Sequence, residues 1–168
     1  DVKDLLYFRI DRKKKIYVST LLLALGYSKD DIANEFFQKE TYSFDDKIKK
    51  WKTKFNPENY KSKNFSEEIV DSKTGKVVIK AGEKTNYLNA KKLFDSGLKE
   101  IFVSNESLYG KYLHKDIICG EETFKIGTEL NETIIEKILE SNIKSILISS
   151  TNSINKGPYL LQTLFNDK

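Results

Sequence analysis

Gly82-Glu83-Lys84-Thr85-Asn86 opens a stretch that runs through a helical pattern to Ser96 and closes on Gly97-Leu98-Lys99-Glu100-Ile101-Phe102-Val103. At an offset of 45 residues the same plan returns as Gly127-Thr128-Glu129-Leu130-Asn131, a helical pattern to Ser141, and Asn142-Ile143-Lys144-Ser145-Ile146-Leu147-Ile148. Two apolar segments around a turn precede each copy: Glu68-Ile69-Val70 and Lys76-Val77-Val78-Ile79, then Asp116-Ile117-Ile118 and Thr123-Phe124-Lys125-Ile126. Asn86 and Asn131 stand where a helix takes its N-cap. Leu93 and Phe94 match Ile138 and Leu139 on the buried helix face. Gly97 and Asn142 fall at the same C-terminal position, and these are the residue types that best tolerate a left-handed backbone there. Each copy predicts a hairpin, a helix and a strand, over 65–105 and 106–150. A unit of about 35 residues cannot bury its apolar face alone, so the copies must pack on each other or on the first part of the chain.

Toward the N-terminus, Leu5-Leu6-Tyr7-Phe8-Arg9-Ile10 reads as a strand, and the charged turn Asp11-Arg12-Lys13-Lys14-Lys15 follows. Ser19 to Leu25 predicts a short buried helix stopped by Gly26. Ser28 is an N-cap for a second helix, with Asp30 and Asp31 in its first turn and Ile32, Phe36 and Phe37 on its apolar face. Residues 41–55 look extended. In Lys50-Trp51-Lys52-Thr53-Lys54-Phe55 a period of two places lysines in water and Trp51, Thr53 and Phe55 on a core. Asn56-Pro57-Glu58-Asn59 is a turn, and the polar stretch to Lys63 is the loosest linker. The fold class is α+β: strand and helices over 1–64, two hairpin-helix-strand units, and a closing segment at 151–168.

The 168 residues suit one domain or two small ones. Hydrophobic residues make up 39% and charged residues 32%, an ordinary balance on the polar side. The longest apolar run, Leu21-Leu22-Leu23-Ala24-Leu25, is far below the ~18 residues that span a bilayer, so no membrane partner is expected. The chain starts without a signal-peptide pattern and holds no methionine. It reads as a piece of something longer. The net charge of +4 is uneven: residues 1–64 carry 15 basic and 10 acidic side chains, residues 65–168 carry 14 and 15. The basic bias of the first part permits contact with nucleic acid.

His114 and Cys119 are the only residues of their kinds. They predict an exposed imidazole and a small buried thiol on opposite faces, since a catalytic zinc site typically needs three protein ligands. The acidic pairs Asp30-Asp31, Asp45-Asp46 and Glu121-Glu122 fit a helix start and two turns. No second group is placed to split their pKa values for acid–base work. The glycines are scattered among turns, without a phosphate loop. Catalytic, cofactor-binding and metal-binding residues are therefore expected to be absent. The basic turn at 12–15 can meet phosphates or stand as a solvated turn.

Three motifs carry a resemblance: Leu6-Tyr7-Phe8-Arg9-Ile10-Asp11-Arg12-Lys13-Lys14-Lys15-Ile16, then Thr20 to Ser28 (TLLLALGYS), then Ile32-Ala33-Asn34-Glu35-Phe36-Phe37. They are similar to the lobe region of the bacterial DNA-directed RNA polymerase β subunit, with its lineage-specific insertion. Gly157-Pro158-Tyr159-Leu160-Leu161-Gln162-Thr163-Leu164 resembles the place where that family re-enters the lobe. The family has Pro-Ala-Thr or Pro-Val-Thr where this chain has Tyr17-Val18-Ser19, which implies a less rigid start to the helix.

The resemblance implies a non-catalytic part of an enzyme that makes RNA from nucleoside triphosphates on a DNA template. Magnesium would be held on another subunit. Partners would be the α, β′, ω and σ subunits and downstream duplex DNA, in the cytoplasm with the nucleoid. Arg9, Arg12, Lys13, Lys14 and Lys15 are the expected nucleic-acid contacts. The alternative is an insert that docks regulatory proteins and touches no DNA.

Overall fold

The computed structural model describes residues 5–60, 63–64, 68–150 and 159–167. Strands β1 (Tyr7–Arg9) and β2 (Lys15–Tyr17) precede helices α1 (Val18–Ala24) and α2 (Lys29–Phe36). Strands β3 (Gln38–Asp45) and β4 (Lys50–Lys54), a 3-10 turn at Pro57–Tyr60, and β5 (Lys63–Asn64) follow. Next come β6 (Ile69–Asp71), β7 (Val77–Ile79), β8 (Lys84–Thr85), α3 (Tyr87–Asp95) and β9 (Glu100–Val103). A 3-10 turn at Glu106–Leu108 leads to β10 (Tyr112–Leu113), β11 (Ile117–Cys119), β12 (Glu122–Phe124), α4 (Glu132–Glu140), β13 (Ser145–Ser150) and α5 (Tyr159–Asn166). The fold is α+β.

The chain forms two compact units, one from 1–39 with 110–168 and one from 40–109. The cuts fall at 39/40 and 109/110. The cause is strand pairing and core sharing, which join the first copy to 40–64 and the second copy to the two ends of the described chain.

In the unit of residues 40–109 the strand order is β3-β4-β9-β6-β7, antiparallel throughout. The extended region predicted over 41–55 is a hairpin. It reverses where the Asp45 carboxylate accepts the N–H groups of Lys47 (2.9 Å) and Ile48 (3.2 Å). The period of two holds, since Trp51, Thr53 and Phe55 are buried. Trp51 donates its indole N–H to Asn105 Oδ1 at 2.9 Å, which satisfies the one polar atom of a fully buried ring. Phe55 and Tyr60 join Ile69, Ile79, Ala90, Leu98 and Ile101 in one apolar cluster. Much of the polar stretch ending at Lys63 lies outside the described residues; within it β5 pairs β8.

In the other unit, α1, α2 and α5 enclose a cluster of Ile32, Ala33, Phe37, Ile126, Leu160, Leu161 and Leu164. Ser28 caps α2 in a capping box with Asp31: the Asp31 N–H donates to Ser28 Oγ (3.1 Å) and the Ser28 N–H donates to Asp31 Oδ2 (2.9 Å). The Ser28 hydroxyl also donates to Asp31 Oδ2 at 2.5 Å, and this bond, followed by the one from the Ser28 N–H, holds the Asp31 carboxyl below its ordinary pKa. Phe36, expected on the apolar face, is instead 44% exposed. The helix ends there, and the extended backbone of Phe37 turns the second ring into the core in its place. Gly157 and Pro158 lie outside the described residues.

The repeat is local in both copies. Asn86 accepts the Asn89 N–H at 2.9 Å and Asn131 accepts the Ile134 N–H at 3.0 Å. At the other end Gly97 has φ +112 and Asn142 φ +58. Leu98 N–H donates to the Leu93 carbonyl (3.0 Å) and Ile143 N–H to the Ile138 carbonyl (3.2 Å), the same Schellman closure twice. Tertiary use differs. In the first copy β6 pairs both β7 and β9. In the second, β11 and β12 form a separate two-stranded sheet, and β10 pairs β13.

Two glycines separate backbone strain from crowding. A Cβ at Gly97 meets nothing within 4 Å, whereas one at Gly127 (φ +82) falls 2.6 Å from the Leu161 carbonyl oxygen on α5. Gly97→Val is expected to cost about 1–2 kcal/mol through left-handed strain, and Gly97→Asn less, as Asn142 shows. Gly127→Ala should lose a further ~1–3 kcal/mol by overpacking. Urea unfolding of the three variants checks the order; equal costs for Gly97→Asn and Gly97→Val contradict the cap.

Candidate nucleic-acid interface

The predicted strand from Leu5 to Ile10 is paired over Tyr7–Arg9, and the basic turn is the tip of the β1–β2 hairpin. The register is Tyr7↔Tyr17, Phe8↔Ile16 and Arg9↔Lys15. Ile10 N–H donates to the Lys14 carbonyl at 3.2 Å, and Val18 N–H donates to the Leu6 carbonyl at 3.1 Å. Hydrogen-bonded and non-hydrogen-bonded pairs alternate along an antiparallel ladder, and side chains lie closer in the second kind. Bonded pairs at Leu6/Val18 and Ile10/Lys14 leave Tyr7/Tyr17 and Arg9/Lys15 as the close pairs. These four side chains share one face, because alternate residues of a strand do. Phe8 and Ile16 take the other.

Tyr7 and Tyr17 stack with ring centroids 5.0 Å apart and planes at 23°. The Lys15 ammonium lies 4.1 Å from the Tyr7 centroid, in cation–π range. A hydrogen bond with Tyr17 is the largest of the influences holding the Tyr7 phenol above its ordinary pKa. Asp11 is exposed on the tip, where its carboxylate accepts the Arg12 N–H. The hairpin brings Arg9, Arg12, Lys13, Lys14 and Lys15 together, all exposed. Among the described residues, no acidic group lies in ion-pair range of Arg9, Arg12, Lys13 or Lys14. The two tyrosines beside these cations were not among the expected contacts. Their signal in the sequence is the pair of alternations Tyr7-x-Arg9 and Lys15-x-Tyr17 around one turn.

Tyr17 holds φ −61 and ψ 142 as the N-cap of α1, close to the φ that a proline ring imposes. Its side chain makes no cap hydrogen bond. The helix start is secured from a distance, since Ser19 Oγ and Thr20 Oγ1 both donate to Asp167 Oδ2, at 2.6 and 2.9 Å. The Leu6 N–H donates to Thr163 Oγ1 at 2.9 Å. The hairpin and α1 therefore both rest on α5.

Three proteins named DNA-directed RNA polymerase subunit beta match the chain end to end. Those of Rickettsia felis and Rickettsia prowazekii are 39% identical to it, and that of Rickettsia canadensis 37% identical, over 171 aligned positions. The chain is homologous to one segment of that β subunit. It spans 12% of the length of these curated relatives. No family model matches it.

Elsewhere in the chain, an open depression of about 590 Å³ lies at the α1–α2 junction. Its charged lining is Asp31 and Glu35, the wrong sign for phosphate. Among the described residues no group of three His, Cys, Asp or Glu side chains could hold a metal ion. No helix of the described residues is long and apolar enough to cross a membrane.

Cys119 is buried, as expected, but His114 is not the exposed imidazole that was expected. It is only 4% exposed. Its Nδ1 lies 2.8 Å from Ser149 Oγ on β13, and its Nε2 lies 3.1 Å from Asn34 Oδ1 on α2. Partners for both nitrogens are what allow a polar ring to be buried. Burial, helped by the Lys39 charge and opposed by Asp30, pushes the His114 pKa below 6.5. Folding therefore favours the neutral ring. The unfolded chain takes up the proton first as pH falls, so this contribution is complete above about pH 6.5 and is lost as pH drops toward the lowered folded value. Stability measured from pH 7 to pH 5 should fall, and the fall should be smaller in His114→Gln. An NMR titration of His114 with a midpoint above 6.5 contradicts this.

Proposed function

We propose that this segment forms part of the lobe that walls the downstream-DNA channel of a bacterial RNA polymerase, and that the β1–β2 hairpin faces the duplex. Support comes from two sides. The relatives are the β subunit of a DNA-directed RNA polymerase, and the hairpin gathers five exposed cations, three in its turn and two on the strand pair beside it. That concentration is the observation that carries the reading. A duplex bears one negative charge per about 1.7 Å of axis, and a cation placed against it releases condensed counterions. Such contacts position DNA without reading sequence.

In this reading RNA synthesis from nucleoside triphosphates belongs to the whole enzyme. Magnesium is held on another subunit, and this chain assigns no residue to catalysis, cofactor or metal. The chain works within an assembly of α, β′, ω and σ subunits in the cytoplasm, associated with the nucleoid. Residues 65–105 and 106–150 are the two units of an insertion, and α5 belongs to the segment that returns to the lobe. A second reading has a specific observation behind it. Residues 65–168 carry 14 basic and 15 acidic side chains, a near balance that suits docking of regulatory proteins better than contact with phosphates.

Changing Lys13 and Lys14 to Ala in the whole polymerase tests the DNA role. The lifetime of the open complex should shorten at moderate salt. The dependence of log lifetime on log salt should lose about one unit of slope per lost phosphate contact, alike on different downstream sequences. Superimposable lines for variant and wild type rule out the role and favour the docking reading.

A further inference from the structure

Below the tip, the face of the β1–β2 hairpin opposite the tyrosines and the paired cations is apolar. Phe8 stands directly across from Ile16, and Leu6 and Ile10 fall on the same side, because alternate residues of a strand do. Leu6 is 41% exposed, Phe8 45% and Ile10 65%; Ile16 is half-buried. An antiparallel sheet that is wet on one face commonly packs the other on a core, and its residues alternate accordingly. This hairpin has the alternation, with Arg9 and Lys15 on the wet face, but its apolar face is left open. Single exposed hydrophobic side chains need no explanation, whereas a contiguous apolar face marks a place of contact.

We propose that this face packs on an apolar surface of the same β-subunit polypeptide, outside these 168 residues. The proposal rests on the reading that the chain works inside a whole β subunit, and not on the reading that the hairpin faces DNA. The curated relatives hold ample polypeptide for the role, since this chain spans 12% of their length. Phe8, Ile10 and Ile16 offer neither charge nor hydrogen-bond donor, so phosphates gain nothing there. Surfaces that stay covered are the more hydrophobic ones and resemble a core cut in half, while contacts that form and break are more polar. A neighbour on the same polypeptide is also held close by the chain itself, which raises its effective concentration above that of any separate partner. Covering the face steadies the hairpin, because a two-stranded sheet is marginal alone. It also fixes the direction of the opposite face, which carries Arg9 and Lys15.

The test is hydroxyl-radical footprinting of the wild-type β subunit, isolated and dilute, read residue by residue by tandem mass spectrometry against the urea-unfolded subunit. Within this chain Phe8 is 45% exposed and Phe37 only 6%. In the whole subunit Phe8 should lose its reactivity down to the level of Phe37. Phe8 reacting well above Phe37 overturns the proposal. So does protection that grows with the concentration of the subunit, that appears only when the other polymerase subunits are added, or that needs DNA. These outcomes assign the face to a second copy, to another subunit and to the duplex in turn. A variant gives an independent reading, since an unpaired carboxylate is costly to bury. Ile10→Asp should return reactivity to Phe8 while Phe37 stays protected, and Ile10→Leu should leave both as in the wild type. Protection of Phe8 undiminished by Ile10→Asp overturns the packing.

This proposal and the DNA reading fail separately. If Phe8 is protected in the isolated β subunit while the Lys13, Lys14 double variant leaves open-complex lifetimes superimposable, the packing stands and the DNA reading fails. If Phe8 is open while that variant shortens the lifetimes, the DNA reading stands and the packing fails.

Discussion

A helix of seven residues does not persist in water unaided, since isolated helices below about 12–15 residues are marginal. The α1 helix is of that length, lacks a side-chain cap and has no acidic residue in its first turn. What holds it comes from the far end of the chain. The Asp167 carboxylate accepts both Ser19 and Thr20 hydroxyls, placing an acid at the positive end of the helix. Leu160, Leu161 and Leu164 close the cluster around α2. Through Thr163 the same helix accepts the Leu6 N–H at the base of the hairpin. The close approach of α5 to Gly127 ties the second copy to the same support. Much of the unit built from 1–39 and 110–168 depends on this one docking.

The hairpin illustrates why that support matters for function. A two-stranded hairpin is at best marginally stable on its own, and this one opposes two cations across its strands. Its aromatic stack and its anchorage on α5 offset that repulsion. The tip beyond them is then free to be almost wholly charge. A basic surface of this kind exists because the residues that stabilise it lie elsewhere, with Leu5 in the core and Tyr7 and Tyr17 one pair down the ladder.

The internal repeat shows how far local chemistry constrains structure and where it stops. Both copies start their helix on an asparagine cap and end it on a left-handed residue, Gly97 or Asn142. These features need only neighbours in sequence. The hairpin that precedes each helix needs a partner for its free edge, and the two copies differ there. In the first, β6 adds to β9; in the second, β13 takes β10 instead.

By itself the sequence determined the elements whose causes are local. The caps at Ser28, Asn86 and Asn131, the left-handed closures, the alternation at Trp51, Thr53 and Phe55, and the basic turn all follow from residue type and spacing. So does the kinship with the polymerase β subunit, carried by the motifs from Leu6 to Phe37. Tertiary structure alone decided what depends on distant chain. Phe37 and not Phe36 fills the core because the helix stops against a cluster completed by α5. His114 is buried because Asn34 and Ser149, 80 residues before it and 35 after, supply both of its hydrogen bonds. The pairing of Arg9 with Lys15 is set by which carbonyls the hairpin closes on, and side-chain order along one strand does not reveal what a second strand will bring opposite. Composition shows that charge is present; only the folded chain determines which charges face each other.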